Sequence, residues 1–389
     1  MVIKDIRAFE VDLRRALPKV PDGPAYLSRR DRQPAGPLER YAAYRGNRGA
    51  AGASWRGVGC VLEAEDGTTG FGTTVTAGPV VPIINDHLRA QLVGQPLMAT
   101  EKLYDLMCRL TAAYGGGGVT AGAISAVDVA AWDAKGKVLG RPVYELLGGP
   151  WRDSIPCYAT GFEVEWYLEL GFEAVKLPNP YGPPDGDEGL RRAEEMVAEA
   201  RELLGPDRAL MMDCWMAMDV DYMVRLAERL RPYNLTWIED YLLPDDIAGF
   251  REVRKRLPGQ PLATGEHWYL PRPFLAAVEE RLVDYFQPDV LWCGGISAMI
   301  RICHIAEAAG IAVAPHGGMN FAYGQHVAVA MPAVTWGERS GGVSPRGVPL
   351  ADNNMLPGSA VIEDGQLTPS DAPGFGLEIT DAWLEAIAV

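Results

Sequence analysis

The sequence predicts an α/β protein: a modified TIM (β/α) barrel with an α+β N-terminal capping domain. Three observations carry that expectation. From residue 154 onward short apolar runs alternate with segments of helical period, the pattern of parallel strands joined by helices. Three successive runs end in an acidic residue, 209–213 at Asp213, 235–239 at Glu239 and 261–266 at Glu266, so the acids are spaced by 26 and 27 residues. Residues 1–130 lack this rhythm. They read as the capping domain, completed by the tail at 353–389, with the barrel over 131–352.

In chain order, residues 2–13 read as an opening strand. Residues 17–52 are irregular and hold Arg29, Arg30, Arg32, Arg40, Arg45 and Arg48; a loop this long is usually functional or disordered, so a lid carrying cations is one reading and a solvated loop the other. Two strands around Asp66-Gly67 form a hairpin signal, and helical segments follow at 81–92 and 100–110. The glycines at 115–118 lack the Gly-Lys-Ser/Thr of a phosphate loop and lead into an alanine-rich helix at 121–137. The barrel strands then fall at 155–158, 172–177, the three acid-ending runs, 283–289, 311–316 and 335–338.

A net charge of −15 argues against a nucleic-acid surface, because phosphate binding needs a basic face. No window holds eighteen uninterrupted apolar residues and the start lacks a signal-peptide core, so the expectation is a soluble cytoplasmic protein without a membrane partner. Six cysteines are scattered without a CxxC pair, which reads as reduced, buried thiols.

In a barrel the C-terminal strand ends converge on one mouth. Carboxylates delivered there by three adjacent strands would repel and raise each other's pKa unless a cation sits among them. Oxygen ligands select a hard ion, Mg²⁺ before Mn²⁺ or Ca²⁺. The expected ligands are therefore Asp213, Glu239 and Glu266, against the alternative that strand-end acids are helix caps or surface groups.

Catalysis also needs a group that moves protons. His316 ends a run, and Asp289 ends the preceding one 27 residues earlier, so adjacent strands would place them side by side as a general base. His267 follows Glu266 and points either into the pocket or out of it; Glu338 ends the last strand and either meets substrate or makes a rim salt bridge.

The chain resembles the enolase superfamily over nearly its whole length, in the mandelate-racemase-like branch, and within it the L-rhamnonate dehydratases. The resemblance rests on Val127-Asp-Val-Ala-Ala-Trp-Asp-Ala-Lys-Gly-Lys137, Leu146-Leu-Gly-Gly149, Lys176-Leu-Pro178, Asp185-Gly-Asp-Glu-Gly189, Met212-Asp-Cys-Trp-Met216, Trp237-Ile-Glu239, Thr264-Gly-Glu-His267, Gln287-Pro-Asp289, Trp292-Cys-Gly-Gly295, Pro315-His-Gly317 and Pro373-Gly-Phe-Gly376. It implies one Mg²⁺ per subunit on Asp213, Glu239 and Glu266, the His316–Asp289 pair as base, and Glu338 as the acid that closes the site. The implied reaction is removal of the proton α to the carboxylate of an L-rhamnonate-like aldonate, with loss of water to a 2-keto-3-deoxy acid.

Racemases of this branch carry Lys-x-Lys on the second strand, whereas Lys176 is followed by Leu177 and Pro178, which disfavours inversion. Arg48 matches a cap arginine that holds the acid sugar, with Lys176 and His267 as further substrate contacts; a histidine that the family carries in the same loop is missing, as residues 1–86 contain none. An acid-sugar racemase or epimerase, and a non-catalytic sugar-acid binder, are the alternatives. Look-alikes commonly form large assemblies, so a homo-oligomer is expected.

Overall fold

The computed structural model describes residues 1–17, 34–45, 55–340, 343–354 and 356–389. Strand β1 (Ile3–Val11) lies antiparallel to β2 (Gly57–Ala64), which pairs in turn with β3 (Thr69–Thr74). The β2–β3 turn is the expected hairpin: Gly67 takes φ +87°, and the Thr68 N–H donates to Asp66 Oδ1 at 2.9 Å. A helix, Val119–Leu139, is buried all round from Thr120 to Ala134 and lies directly on this sheet. Glycines make that approach possible, since a Cβ on Gly70 or Gly72 would sit 2.0 or 2.1 Å from the carbonyl oxygens of Ala130 and Ala126. The helix runs unbroken through position 130, where the sequence placed a domain boundary.

Eight parallel strands follow: β4 (Ile155–Thr160), β5 (Ala174–Pro178), β6 (Ala209–Asp213), β7 (Trp237–Glu239), β8 (Leu262–Thr264), β9 (Tyr285–Phe286), β10 (Ala312–Val313) and β11 (Gly337–Arg339). Each pairs with the next as far as β10, and β11 pairs with β4. The ring closes where Val313 bridges Val334 in parallel, its N–H donating to Ala333 O at 2.8 Å and its carbonyl accepting from Thr335 N at 2.9 Å. Inside, Tyr158, Trp237 and Met211 alternate with Ala174, Ala263 and Ala314, a packed plug rather than a pore. Asp219 and Asp246 cap the helices Val220–Leu230 and Ile247–Arg256 by accepting from Tyr222 N and Gly249 N, which sets where each strand-end loop turns back.

Three strands stop earlier than the apolar runs suggested. Gly265 at φ +138° breaks the ladder after β8, and Pro288 and Pro315, which have no N–H to donate, follow β9 and β10 by two residues. Glu266, Asp289 and His316 therefore sit on the first residues of loops, not in strands.

The end of the tail packs on the first sheet: Ala388 bridges Val11, and the Trp383 ring meets Phe71 edge-on at 5.6 Å. The tail also reaches the barrel, where β12 (Gln366–Leu367) pairs antiparallel with β4. Asp133, fully buried, ties the parts together by accepting from Phe71 N at 2.9 Å and Phe375 N at 3.0 Å and pairing with Lys137 at 2.7 Å. Among the described residues no helix is long and apolar enough to cross a membrane.

Candidate active site at the mouth of the barrel

Asp213 and Glu239 are the last residues of β6 and β7 and are register partners. Glu266 follows on the neighbouring β8, and all three side chains are buried. Asp213 Oδ1 accepts from the backbone of Trp215 at 2.9 Å. Glu239 is held from both sides, by the Lys176 ammonium at 2.5 Å on one oxygen and the Trp237 indole N–H at 2.9 Å on the other. A carboxylate offers about four lone pairs, so these bonds leave acceptor capacity on Glu239.

Lys176, from β5, also pairs with Glu338 of β11 at 2.8 Å and is 1% exposed. It lies between two carboxylates, and the expected substrate contact is a buried counter-ion in this structure. Glu338 further accepts from the Thr160 hydroxyl at 2.5 Å and the Gly317 N–H at 2.7 Å. Burial opposes its ionisation, but Lys176 and His316 outweigh burial and hold Glu338 at about 2.

The two residues expected to form a base lie together: His316 Nδ1 is 2.8 Å from Asp289 Oδ2, and its Nε2 is 3.3 Å from Glu266 Oε2. Burial would lower His316, yet Glu266, Asp289 and Glu338 raise it well above the usual imidazole range. His267 turns inward, with Nδ1 3.2 Å from Asp240 Oδ2 and 3.3 Å from Glu266 Oε1. The Trp292 ring stands near both imidazoles, 5.1 Å from His316 and 5.8 Å from His267. Arg48 lies outside the described residues.

Sequence reasoning missed Asp240, whose oxygens take the Thr264 hydroxyl at 2.8 Å and the His267 ring. With Glu266 and His267 it forms the group of potential ligand atoms that lie within 4.8 Å of one another among the described residues. This set shares Glu266 with the expected one and includes a nitrogen donor. The signal was present as two doublets, Glu239-Asp240 and Glu266-His267, at the same spacing of 27 on adjacent strands.

The acids bear the mark of a site built for a cation. Burial first, then the charges of Asp213, Glu338 and Glu266, push Glu239 up to about 8 in spite of Lys176. Burial and the charges of Asp240 and Asp213 likewise push Glu266 up to about 7 in spite of both histidines. A hard divalent ion removes this repulsion, so the donor set fits one. Beside it, a cavity of about 620 Å³ opens between the first sheet and the barrel rim, lined by Arg14, Trp55 and Thr74 on one side and Asp289, Trp292 and His316 on the other.

An eight-stranded barrel carrying acids and a His–Asp pair at its mouth, with an antiparallel sheet beside it, is the architecture of the enolase superfamily, and the chain belongs to that superfamily's mandelate racemase/muconate lactonizing enzyme family. It matches the N-terminal domain of that family over residues 56–148 and the enolase C-terminal domain-like family over 162–383. Among individual relatives it is similar to the L-rhamnonate dehydratase of Saccharopolyspora erythraea, 39% identical over 351 residues and 89% of each chain. The crystal structure of rhamnonate dehydratase from Gibberella zeae complexed with Mg superposes with a TM-score of 0.86 at 31% identity, over 100% of this chain and 96% of that one. A racemase from Streptomyces coelicolor with bound magnesium gives a TM-score of 0.81 at 26% identity, over 100% of both chains.

Proposed function

We propose that the protein is an Mg²⁺-dependent acid-sugar dehydratase acting on L-rhamnonate or a closely related aldonate. The observation that carries this reading is the His316 imidazole, held by Asp289 at 2.8 Å on one nitrogen and facing the metal-binding acids with the other. Asp213, Glu239 and Glu266 would hold one Mg²⁺ per subunit, with His267 beside Glu266 and itself held by Asp240. The ion supplies charge neutralisation at the substrate carboxylate, worth several kcal/mol as electron density arrives there.

The chain's own residues do the rest. With Glu266 engaged as a ligand its charge would no longer hold a proton on His316, whose neutral Nε2 takes the proton from C2 while Asp289 stabilises the imidazolium through Nδ1–H. The same imidazolium then gives its proton to the departing hydroxyl on C3, a syn elimination that one side chain can perform. The resulting enol tautomerises to the 2-keto-3-deoxy acid. Glu338, fixed by Lys176, Thr160 and Gly317, closes the far side of the site. Arg48 would hold the sugar's distal end.

Inversion at C2 needs a second base on the opposite face. Lys176 is sealed between Glu239 and Glu338, and Pro178 occupies the place of a second lysine, so dehydration is favoured over racemisation.

The test is a panel of L-rhamnonate, L-lyxonate and L-mannonate in D₂O, reading keto acid and C2 exchange, with wild type, a chelator control and His316→Asn. Keto acid from the wild type alone is the expected result. Inversion at C2 without keto acid would establish a racemase, and affinity without turnover a binding protein; either overturns the reading.

A further inference from the structure

The base pair is tied to the antiparallel sheet through an unbroken run of hydrogen bonds. Thr74, the last residue of β3 and 2% exposed, donates its hydroxyl to Leu291 O at 2.6 Å. Leu291 N donates to Asp289 Oδ1 at 2.7 Å, and Asp289 Oδ2 meets His316 Nδ1 at 2.8 Å. The turn between these bonds is tight, with Trp292 N and Cys293 N both donating to Asp289 O at 3.0 and 2.8 Å.

A second set of contacts holds the end of the same loop and the first turn of the helix Gly295–Ala309 that follows it. Gly294 N donates to Ser125 Oγ at 2.9 Å, and Asp128 accepts from Ser297 N and Oγ at 2.9 and 2.6 Å. Ser125 and Asp128 lie on the helix that packs on the sheet. The upstream half, which carries both Asp289 and the Trp292 ring beside His316, has Thr74 as its side-chain anchor to the sheet among the described residues.

We infer that Thr74 is a positioning residue: by holding the Leu291 carbonyl it fixes the backbone of Leu291, whose N–H orients the Asp289 carboxylate and so the imidazole that takes the proton. Asp289 sits on a loop beyond the short strand β9; the bond from His316 N to Pro288 O at 3.2 Å steadies the neighbouring backbone but does not orient the Asp289 carboxylate. Leu291 joins two peptide planes, one whose carbonyl accepts from Thr74 and whose Trp292 N–H donates to Asp289 O, and one whose N–H grips the Asp289 carboxylate, so a shift of Leu291 strains all three bonds. The antiparallel sheet is thereby a working part of the base and not only a wall of the cavity. This consequence for turnover rests on the dehydratase reading, whereas the linkage itself does not.

The experiment compares Thr74→Val, which keeps the shape and removes the hydroxyl, with Thr74→Ser, which keeps the hydroxyl. In the Mg²⁺-loaded full-length enzyme with L-rhamnonate, Thr74→Val should lower kcat roughly 10- to 100-fold, the scale of a misplaced catalytic group, with little change in KM. The primary isotope effect with C2-deuterated substrate should rise, and Thr74→Ser should restore wild-type values. Hydrogen exchange over 289–293 should quicken in Thr74→Val and not in Thr74→Ser.

A raised KM with unchanged exchange would mean that Thr74 touches substrate instead, and overturns the inference. A loss of kcat matched by loss of folded protein, with a wild-type isotope effect, overturns it as well. Should wild type dehydrate no acid sugar, the functional reading fails alone. Exchange over 289–293 then decides the linkage, and unchanged exchange in Thr74→Val sinks it.

Discussion

Two histidines ten residues apart, His316 and His326, are both largely withdrawn from water and have opposite fates. His316 lies at the mouth among Glu266, Asp289 and Glu338, whose charges overcome burial and raise it well above the ordinary imidazole range. His326, in the helix Ala322–Ala330, packs against the rings of Tyr144 and Phe375 at 5.4 and 5.2 Å and accepts from Tyr144 N at 3.2 Å. Burial pushes it down to about 3. Removing an imidazole from water therefore does not make it a base. What distinguishes the mouth is charge gathered at a cost in self-repulsion, whereas in the seam around His326 the pull of Asp371 is too small to offset burial.

If the mouth is strained by its own acids, relieving one should stabilise the metal-free protein while destroying function. Asp213→Asn is the sharpest form of this, because the amide oxygen can still accept from Trp215 N. Turnover should fall by about 10³-fold or more, the several kcal/mol that metal-ion charge stabilisation supplies. The metal-free melting temperature should rise, and the further rise on adding Mg²⁺ should shrink. Thermal unfolding with and without the ion measures both. A lower metal-free melting temperature would break the contrast.

The next largest effect is on the cation already present. Lys176→Met keeps the stem volume but leaves Glu239 and Glu338 buried without their shared counter-ion. Breaking a buried pair in this way typically costs about 3–5 kcal/mol. Denaturant unfolding should show that loss, and added Mg²⁺ should recover part of it if Glu239 is a ligand.

The sequence exposed the mouth better than the seam, for a physical reason. Acids closing apolar runs at spacings of 26 and 27 report strand direction, and strand ends in a closed barrel must converge. Asp66-Gly67 likewise reported its turn through backbone chemistry confined to a few residues. Periodicity reports a face but no rotamer, so it left open whether His267 turned inward and whether Lys176 met substrate or its own carboxylates. The bond from Thr74 to Leu291 spans 217 residues, and no local pattern encodes such a contact. Strand ends at Thr264, Phe286 and Val313 were overrun because each run was extended to the polar residue that closes it, Glu266, Asp289 or His316, past the glycine or proline that stops the ladder. His326 carried no signal, since a histidine in an apolar helical segment reads the same whether it is silent or active.

The smallest effect tests the seam, and its sign is opposite to that of the acids. His326 has a folded pKa of about 3 against an ordinary 6.5, so between those values the unfolded chain binds a proton that the fold excludes. Its contribution is complete above pH 6.5 and is lost as pH falls through that window, by about 1.4 kcal/mol per pH unit. Glu239 and Glu266, raised to about 8 and 7 from 4.5, work the other way in the metal-free protein: as pH falls towards 4.5, folding takes up protons and gains stability. Only a difference profile separates the two. His326→Gln keeps an acceptor for Tyr144 N and removes the titration, so wild type should lose roughly 2 kcal/mol relative to it between about pH 6.5 and about pH 5. Denaturant midpoints of both proteins across that range measure the difference, and parallel profiles would show that the seam admits the charged ring after all.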